Sequence, residues 1–287
     1  MILKDFRTRF SNQLSDLYPK TEVDTFFFLL IEEYLKLQRI DVSLQPDYEI
    51  SDEKFNLLES ALKRLQKEEP LQYIIGKTEF YGLPFYVDKN VLIPRPETEE
   101  LVDWMLLETK EKREKNQDSS LQILDIGTGS GCIPITLKKN LTNALISAID
   151  VSKKVLAIAL KNAELNGVKV NFIEQDILNT SQLSSNFDII VSNPPYVREL
   201  EKEEIKNNVL ENEPHLALFV KDKNPLIFYN RIADLANKHL NKNGQLFFEI
   251  NQYLGQETVD LLKVKGFKNI QLKKDLFGND RMILAHK

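Results

Sequence analysis

Apolar residues recur every three or four positions through the first part of the chain. Leu3, Phe6, Phe10, Leu14 and Leu17 make one such stripe, and Phe26, Phe27, Leu30, Tyr34 and Leu37 make a second within residues 22 to 38. A third begins behind Ser51, a capping residue with Asp52 and Glu53 in the turn after it, and carries Phe55, Leu58, Leu62 and Leu65. Residues three and four apart share one face of an α-helix, so residues 1–69 are expected to form a small bundle of three amphipathic helices. Pro70 closes it. The aromatic alternation that follows, punctuated by Gly82 and Pro84, predicts a connecting β-hairpin over residues 70–93. The rigid Pro94-Arg95-Pro96 turn then leads into a helix from Thr98 to about Thr109, with a solvated run from Lys110 to Ser120 behind it.

From residue 121 the rhythm alternates between the two periods. Strands are predicted at 121–126, 145–150, 170–174, 187–192 and 245–250, and helices near 131–139, 152–166 and 225–241. Such alternation builds a parallel sheet with helices on both faces. The tail differs, because Ile270-Gln271-Leu272 and Met282-Ile283-Leu284-Ala285 flank a Gly278-Asn279-Asp280 turn, the pattern of an antiparallel hairpin. The expected fold is α/β, a mostly parallel seven-stranded sheet ending in that hairpin, with residues 1–69, 70–93 and 94–287 as bundle, connector and main domain.

Composition narrows the partners. Across 287 residues, 42% are hydrophobic and 28% charged, enough for the cores of about two domains. The formal net charge of -5 argues against a chain whose main partner is a phosphate backbone, and the basic residues of Lys110 to Lys115 alternate with acids as on a solvated face. One cysteine, Cys132, permits neither an internal disulfide nor a cysteine metal cluster, and His215, His239 and His286 lack ligand spacing, so no metal is expected. The start, Met1-Ile2-Leu3-Lys4-Asp5, has no signal-peptide pattern, and the apolar run Phe26 to Ile31 is too short to span a bilayer. A soluble, cytoplasmic monomer is expected.

Four strand ends carry candidate chemistry. The first runs into Asp125-Ile126-Gly127-Thr128-Gly129-Ser130-Gly131, where glycines allow a sharp turn and a close backbone approach ahead of a helix N-terminus. A dinucleotide fingerprint would need a glycine at Cys132 or at Pro134, so the pattern is G-x-G-x-G instead. It is similar to the cofactor loop of class I (Rossmann-like) methyltransferases, which use S-adenosylmethionine. Asp150, at the next strand tip, can accept both hydroxyls of a ribose, and Asp176 with Ile177 offers an acid and an apolar wall for adenine. The strand at 187–192 ends in Asn193-Pro194-Pro195-Tyr196. The side-chain oxygen of Asn193 and the backbone oxygen of Pro194 can each accept one N–H of a planar NH2 group. That would align a poorly nucleophilic nitrogen with a sulfonium methyl, while the prolines preorganise the turn and Tyr196 offers its ring to a flat substrate. Adenine N6, cytosine N4, guanine N2 and glutamine N5 would all suit this tetrad.

The blocks around the tetrad separate these. Glu69-Pro70-Leu71-Gln72-Tyr73-Ile74-Ile75-Gly76, Phe80-Tyr81-Gly82, Leu92-Ile93-Pro94-Arg95-Pro96-Glu97-Thr98-Glu99, the glycine loop, the tetrad, Glu213-Pro214 with Ala217-Leu218, and Gly278-Asn279-Asp280-Arg281 resemble the HemK/PrmC family in order and spacing. The resemblance implies a protein-(glutamine-N5) methyltransferase acting on the Gly-Gly-Gln loop of class-1 peptide chain release factors, with the helical bundle as a second contact to the factor. It implies cofactor contacts at Gly127, Thr128, Gly129, Ser130, Gly131, Asp150, Asp176, Ile177 and Asn193, and substrate contacts from Asn193 through Pro194 and Pro195 to Tyr196. An adenine-N6 or guanine-N2 nucleic-acid methyltransferase would need a basic groove and a target-recognition domain, neither of which is legible. A cofactor-binding activator subunit would have no use for an intact tetrad.

Overall fold

In the computed structural model the backbone is described for residues 1–115 and 120–287, and the side chains for 1–110 and 120–287. The solvated face expected over Lys110 to Ser120 lies almost wholly outside the described side chains. Two compact units divide the chain, Met1–Gly76 with Lys206–Asn212 and Lys77–Ile205 with Glu213–Lys287.

The first unit is helical: α1 (Leu3–Leu14), α2 (Lys20–Leu35), α3 (Arg39–Leu44), α4 (Asp52–Leu65) and α5 (Leu71–Ile75). Three of these match the amphipathic stripes, and Phe6, Phe10, Phe27, Leu30, Leu58 and Leu62 meet in one buried cluster. Ser51 caps α4 by accepting from the Lys54 backbone N–H at 3.4 Å. Leu17 and Leu37 lie past the ends of α1 and α2, and Leu17 is exposed. The short helices α3 and α5 are departures from expectation. Residues 71–75 read as strand because of Tyr73, Ile74 and Ile75, yet Pro70 and a left-handed Gly76 (φ 78) bracket a single turn that buries Leu71 and Ile74 in the bundle core. Packing overrides a local preference of β-branched residues that amounts to only about 1 kcal/mol.

In the second unit the connector contracts to a hairpin of β1 (Lys77–Phe80) and β2 (Leu83–Tyr86). Tyr81 and Gly82 form its turn with φ of 52 and 70, both positive as a tight primed turn requires. Phe80 and Phe85 are buried in the same cluster as Leu101 and Met105, so the hairpin is part of the main core. The chain continues through α6 (Pro96–Lys115), β3 (Gln122–Ile126), α7 (Cys132–Asn140), β4 (Leu145–Asp150), α8 (Lys153–Leu165), β5 (Asn171–Glu174), β6 (Phe187–Ser192), β7 (Val197–Arg198), α9 (Asn207–Asn212, in the first unit), α10 (His215–Leu218), β8 (Phe219–Val220), α11 (Ile227–His239), β9 (Leu240–Glu249), α12 (Gly255–Val264), β10 (Lys268–Lys274) and β11 (Asp280–His286). Helix α6 starts two residues before the expected Thr98, because proline is well suited to a first helical position where no N–H is needed.

Among the described residues seven strands form one sheet in the order β10-β11-β9-β6-β3-β4-β5. The pairs β3–β4, β3–β6, β4–β5 and β6–β9 are parallel, and β11 runs antiparallel to both β9 and β10. The α/β class, the mostly parallel seven-stranded sheet and the terminal hairpin are as expected. Strand β9 opens earlier than predicted because Asn243 adopts φ 63 and the register shifts before the regular ladder resumes at Gln245. The central strands β3 and β6 are neighbours whose carboxyl ends sit side by side, the crevice position of an open α/β sheet.

Candidate active site

A cavity of about 300 Å³ lies at the carboxyl ends of β3, β4 and β6. Its floor is the glycine loop. Gly127, Gly129 and Gly131 have φ of 78, 55 and 82, in the left-handed region that strains any residue with a Cβ. At Gly127 and Gly129 an added Cβ would meet nothing within 4 Å, so their backbone is open to a ligand. Gly131 differs. Its Cβ would lie 2.9 Å from Ile135 Cδ1 and 3.2 Å from Ala159 Cβ, so this glycine lets α7 and α8 close up. Gly127, Thr128, Gly129 and Ser130 line the cavity, and Gly131 is not on its wall.

Asp150, at the tip of β4, is half-buried on the cavity wall. Its Oδ2 accepts the Gly129 N–H at 3.1 Å and its Oδ1 the Ser152 N–H at 3.0 Å. Burial raises its pKa while the N–H groups of Ser152, Gly129 and Val151 pull it back. Each carboxylate oxygen has a further acceptor position, so the arrangement can still take two hydroxyls. Asp176 also lines the cavity, but its oxygens accept from Leu178 N–H at 2.9 Å and Asn179 Nδ2 at 2.7 Å, the bonds of a side-chain-closed turn. Beside it Ile177 supplies apolar wall and joins the core under α11.

Asn193, Pro194 and Pro195 line the same cavity. Ser192 Oγ donates to the Ile126 carbonyl at 2.6 Å and ties the tip of β6 to that of β3. Asn193 Nδ2 donates to Thr98 Oγ1 at 3.2 Å, and Thr98 Oγ1 donates to Glu249 Oε2 at 2.6 Å. Tyr196 is held differently from the three residues before it. Its ring packs on the core, its hydroxyl donates to Glu249 Oε1 at 3.1 Å, and it is not on the cavity wall. The ring is half-buried, and desolvation raises the pKa of its hydroxyl.

Several functional neighbours escaped the sequence. Thr98 and Glu249 are far apart in the chain and meet only through the fold. Asn162 of α8 accepts the Tyr86 N–H at 2.6 Å and donates to the Ser130 carbonyl at 2.8 Å, stitching the hairpin to the glycine loop. Arg95 donates to Glu213 at 2.5 Å, and Glu213 also accepts the Ile93 N–H at 3.4 Å, so the blocks 92–99 and 213–218 meet in the fold. Asp125 was legible as part of the glycine run, but not its state. Both its oxygens are buried without a hydrogen-bond partner, and burial, with the Asp150 charge adding to it, pushes its carboxyl up to about 7. The nearby Thr128 hydroxyl opposes that rise, although it too is unpartnered by hydrogen-bond geometry.

Residues 105–217 match the methyltransferase small domain family, and residues 5–76 match the PrmC N-terminal domain. The release factor glutamine methyltransferase of Flavobacterium psychrophilum is 55% identical over 99% of this chain and 98% of its own length. The chain belongs to the release factor glutamine methyltransferase family. The family member from Bacteroides thetaiotaomicron is 45% identical, with 96% of each chain covered. A methyltransferase from Pyrococcus furiosus superposes with a TM-score of 0.50 at 16% identity, covering 83% of this chain and 99% of that one, a likeness of fold alone.

The residues of this family member fit S-adenosylmethionine. The open positions at Gly127 and Gly129 admit a close ligand, and Thr128 offers an orphaned hydroxyl on the wall. Asp150 suits a ribose, and Ile177, Val155 and Phe228 give an apolar face. Cys132 also reaches the cavity, but burial pushes its thiol up to about 12, a state unsuited to nucleophilic chemistry. It is expected to stay unmodified by a disulfide thiol reagent at pH 8, with a thiolate fraction of about one in 10⁴, and to react once the chain is unfolded in denaturant. Modification of the folded protein within minutes would contradict this. Among the described residues no helix is long and apolar enough to cross a membrane.

Proposed function

We propose that this protein transfers a methyl group from S-adenosylmethionine to the side-chain amide nitrogen N5 of the glutamine in the Gly-Gly-Gln loop of class-1 peptide chain release factors. The observation that carries the reading is the engaged amide of Asn193. Its Nδ2 is taken by Thr98, so its Oδ1, which has no protein partner among the described residues, is the end left for a substrate N–H. The bound cofactor supplies an electrophilic methyl group on a sulfonium. Gly127 to Ser130 would hold it by close backbone approach and Asp150 by accepting its ribose hydroxyls, with Asp176 and Ile177 offering an acid and an apolar wall to the adenine. Asn193 Oδ1 and the Pro194 carbonyl accept the two N–H groups of the glutamine amide and hold its nitrogen in line with the methyl group. The same dipoles stabilise the positive charge that grows on nitrogen as the bond forms. The surplus proton leaves to water or to a nearby Asp or Glu. The N-terminal helical unit serves as a second contact to the factor.

Asp150→Ala is expected to weaken cofactor affinity by about 1–3 kcal/mol through lost charge-assisted hydrogen bonds, as read by calorimetry. Unchanged affinity removes Asp150 from the ribose. The function itself is tested with labelled cofactor and three acceptors: intact release factor, a Gly-Gly-Gln peptide and total nucleic acid. Label on the factor's glutamine, lost when that glutamine is replaced, supports the proposal. Label only in nucleic acid overturns it in favour of a base-directed enzyme.

A further inference from the structure

A carboxamide presents two ends of nearly the same size and shape, one a pair of donors and the other an acceptor. Packing around Asn193 therefore does not decide which end faces the cavity. Hydrogen-bond partners decide it, and a wrong choice would set NH2 against the NH2 of the incoming substrate. The structure places a chain of three side chains from three elements at this point: Asn193 behind β6, Thr98 on α6 and Glu249 at the end of β9.

We propose that Thr98 and Glu249 are a positioning pair that holds the Asn193 amide with its oxygen toward the substrate. This rests on the reading of Asn193 given under Proposed function. Thr98 is 3% exposed and Glu249 1%, so water does not compete for their bonds. An ionised Glu249 accepts only. The single hydroxyl proton of Thr98 is committed to Oε2 at 2.6 Å, so toward Asn193 this hydroxyl has only a lone pair to offer. The Asn193 group that meets it, at 3.2 Å, has to be the NH2 end, and Oδ1 is turned to the cavity. Glu249 is fixed from its other side by the Tyr196 hydroxyl on Oε1 at 3.1 Å, and its backbone carbonyl accepts the Tyr229 hydroxyl at 3.1 Å.

Charge on Glu249 is what gives the relay its direction. A proton on Glu249 could be donated to Thr98, which could then donate to Asn193 and favour the reversed amide. Burial raises the Glu249 pKa. Thr98, Arg281 and Tyr196 oppose the rise, and Glu97 adds to it. Tyr229 and Cys132 also face this group, both held neutral by burial. Activity is therefore present where Glu249 is ionised and falls as pH drops through its raised pKa.

The test is Thr98→Val, which keeps the shape and removes the hydroxyl, alongside Thr98→Ser and Asn193→Ala, in the full chain with S-adenosylmethionine and release factor. T98V is expected to lower kcat by about ten- to hundredfold with KM and cofactor affinity within about threefold, since alignment acts on the transition state more than on binding. T98S is expected to recover most of the lost rate, which filling the space alone would not do. The wild-type kcat is expected to fall on the acid side while the T98V profile is flat over the same range. Wild-type kcat in T98V, or T98S as impaired as T98V, overturns the positioning pair while leaving the role of Asn193 standing, provided N193A is inactive. An active N193A overturns the reading of the site beneath it. If T98V shows no melting transition, T98S and the wild-type profile decide: a wild-type kcat without an acid limb overturns the proposal.

Discussion

Asn193→Ala abolishes methyl transfer, with kcat reduced by at least about a hundredfold, the effect of losing one preorganised dipole at a site of developing charge. Alanine removes the side-chain acceptor and leaves the Pro194 carbonyl, so one N–H of the substrate amide is held and the other is not. The nitrogen then swings out of line with the methyl group, and positioning is the larger share of what this site supplies. The scaffold survives, because Ser192 still ties β6 to β3 at 2.6 Å and Thr98 still donates to Glu249. Cofactor affinity is expected to change by less than about threefold, under about 0.7 kcal/mol, since the glycine loop and Asp150 are untouched. Single-turnover transfer of label, paired with calorimetry, reads both quantities. Retained turnover would sink the acceptor role, and lost cofactor binding would move Asn193 into the donor's site.

Asp125→Asn is expected to flatten a steep pH dependence of stability. The carboxyl of Asp125 is pushed up to about 7 in the folded protein, against about 3.9 in an unfolded chain. Between those values the folded state holds a proton that the unfolded state has released. Stability is thus greatest below about pH 4 on this account and is lost as pH rises toward about 7, by about 1.4 kcal/mol per unit. Across the window the sum is about 4 kcal/mol. The neutral amide in Asp125→Asn cannot ionise. The difference in denaturant-derived stability between wild type and variant should therefore move in the variant's favour by this amount from pH 4 to 7. Parallel curves would show that Asp125 is ionised throughout.

Many elements were legible because they are written in periodicity. The stripe of Phe6, Phe10 and Leu14 needs no partner to read as a helix face, and the strand ending at Ile126 announces itself by continuous apolar residues before a glycine loop. The short helix at Leu71–Ile75 was not legible, since a single turn carries too few residues for a period and takes its stability from the bundle it packs on. The partner of the Tyr196 hydroxyl was not legible either. It is the buried Glu249, 53 positions further along the chain. Gly131 belongs to the same run as Gly127 and Gly129 but serves the contact between α7 and α8, a distinction set by Ile135 and Ala159 and invisible in a string of glycines.

By itself, the sequence determined the α/β class, the order of strands and helices along the chain, and the residue types that meet a methyl donor and a planar nitrogen. These follow from local rules: the periods of helix and strand, the backbone freedom of glycine, the rigidity of proline and the donor and acceptor count of an amide. Tertiary structure alone decided which carboxyl is left unpartnered, that Arg95 meets Glu213, and that Thr98 and Glu249 stand behind Asn193. Those contacts join residues separated by as many as 151 positions. No local pattern encodes them, because each depends on how β6 and β9 lie beside one another and where α6 packs against the sheet.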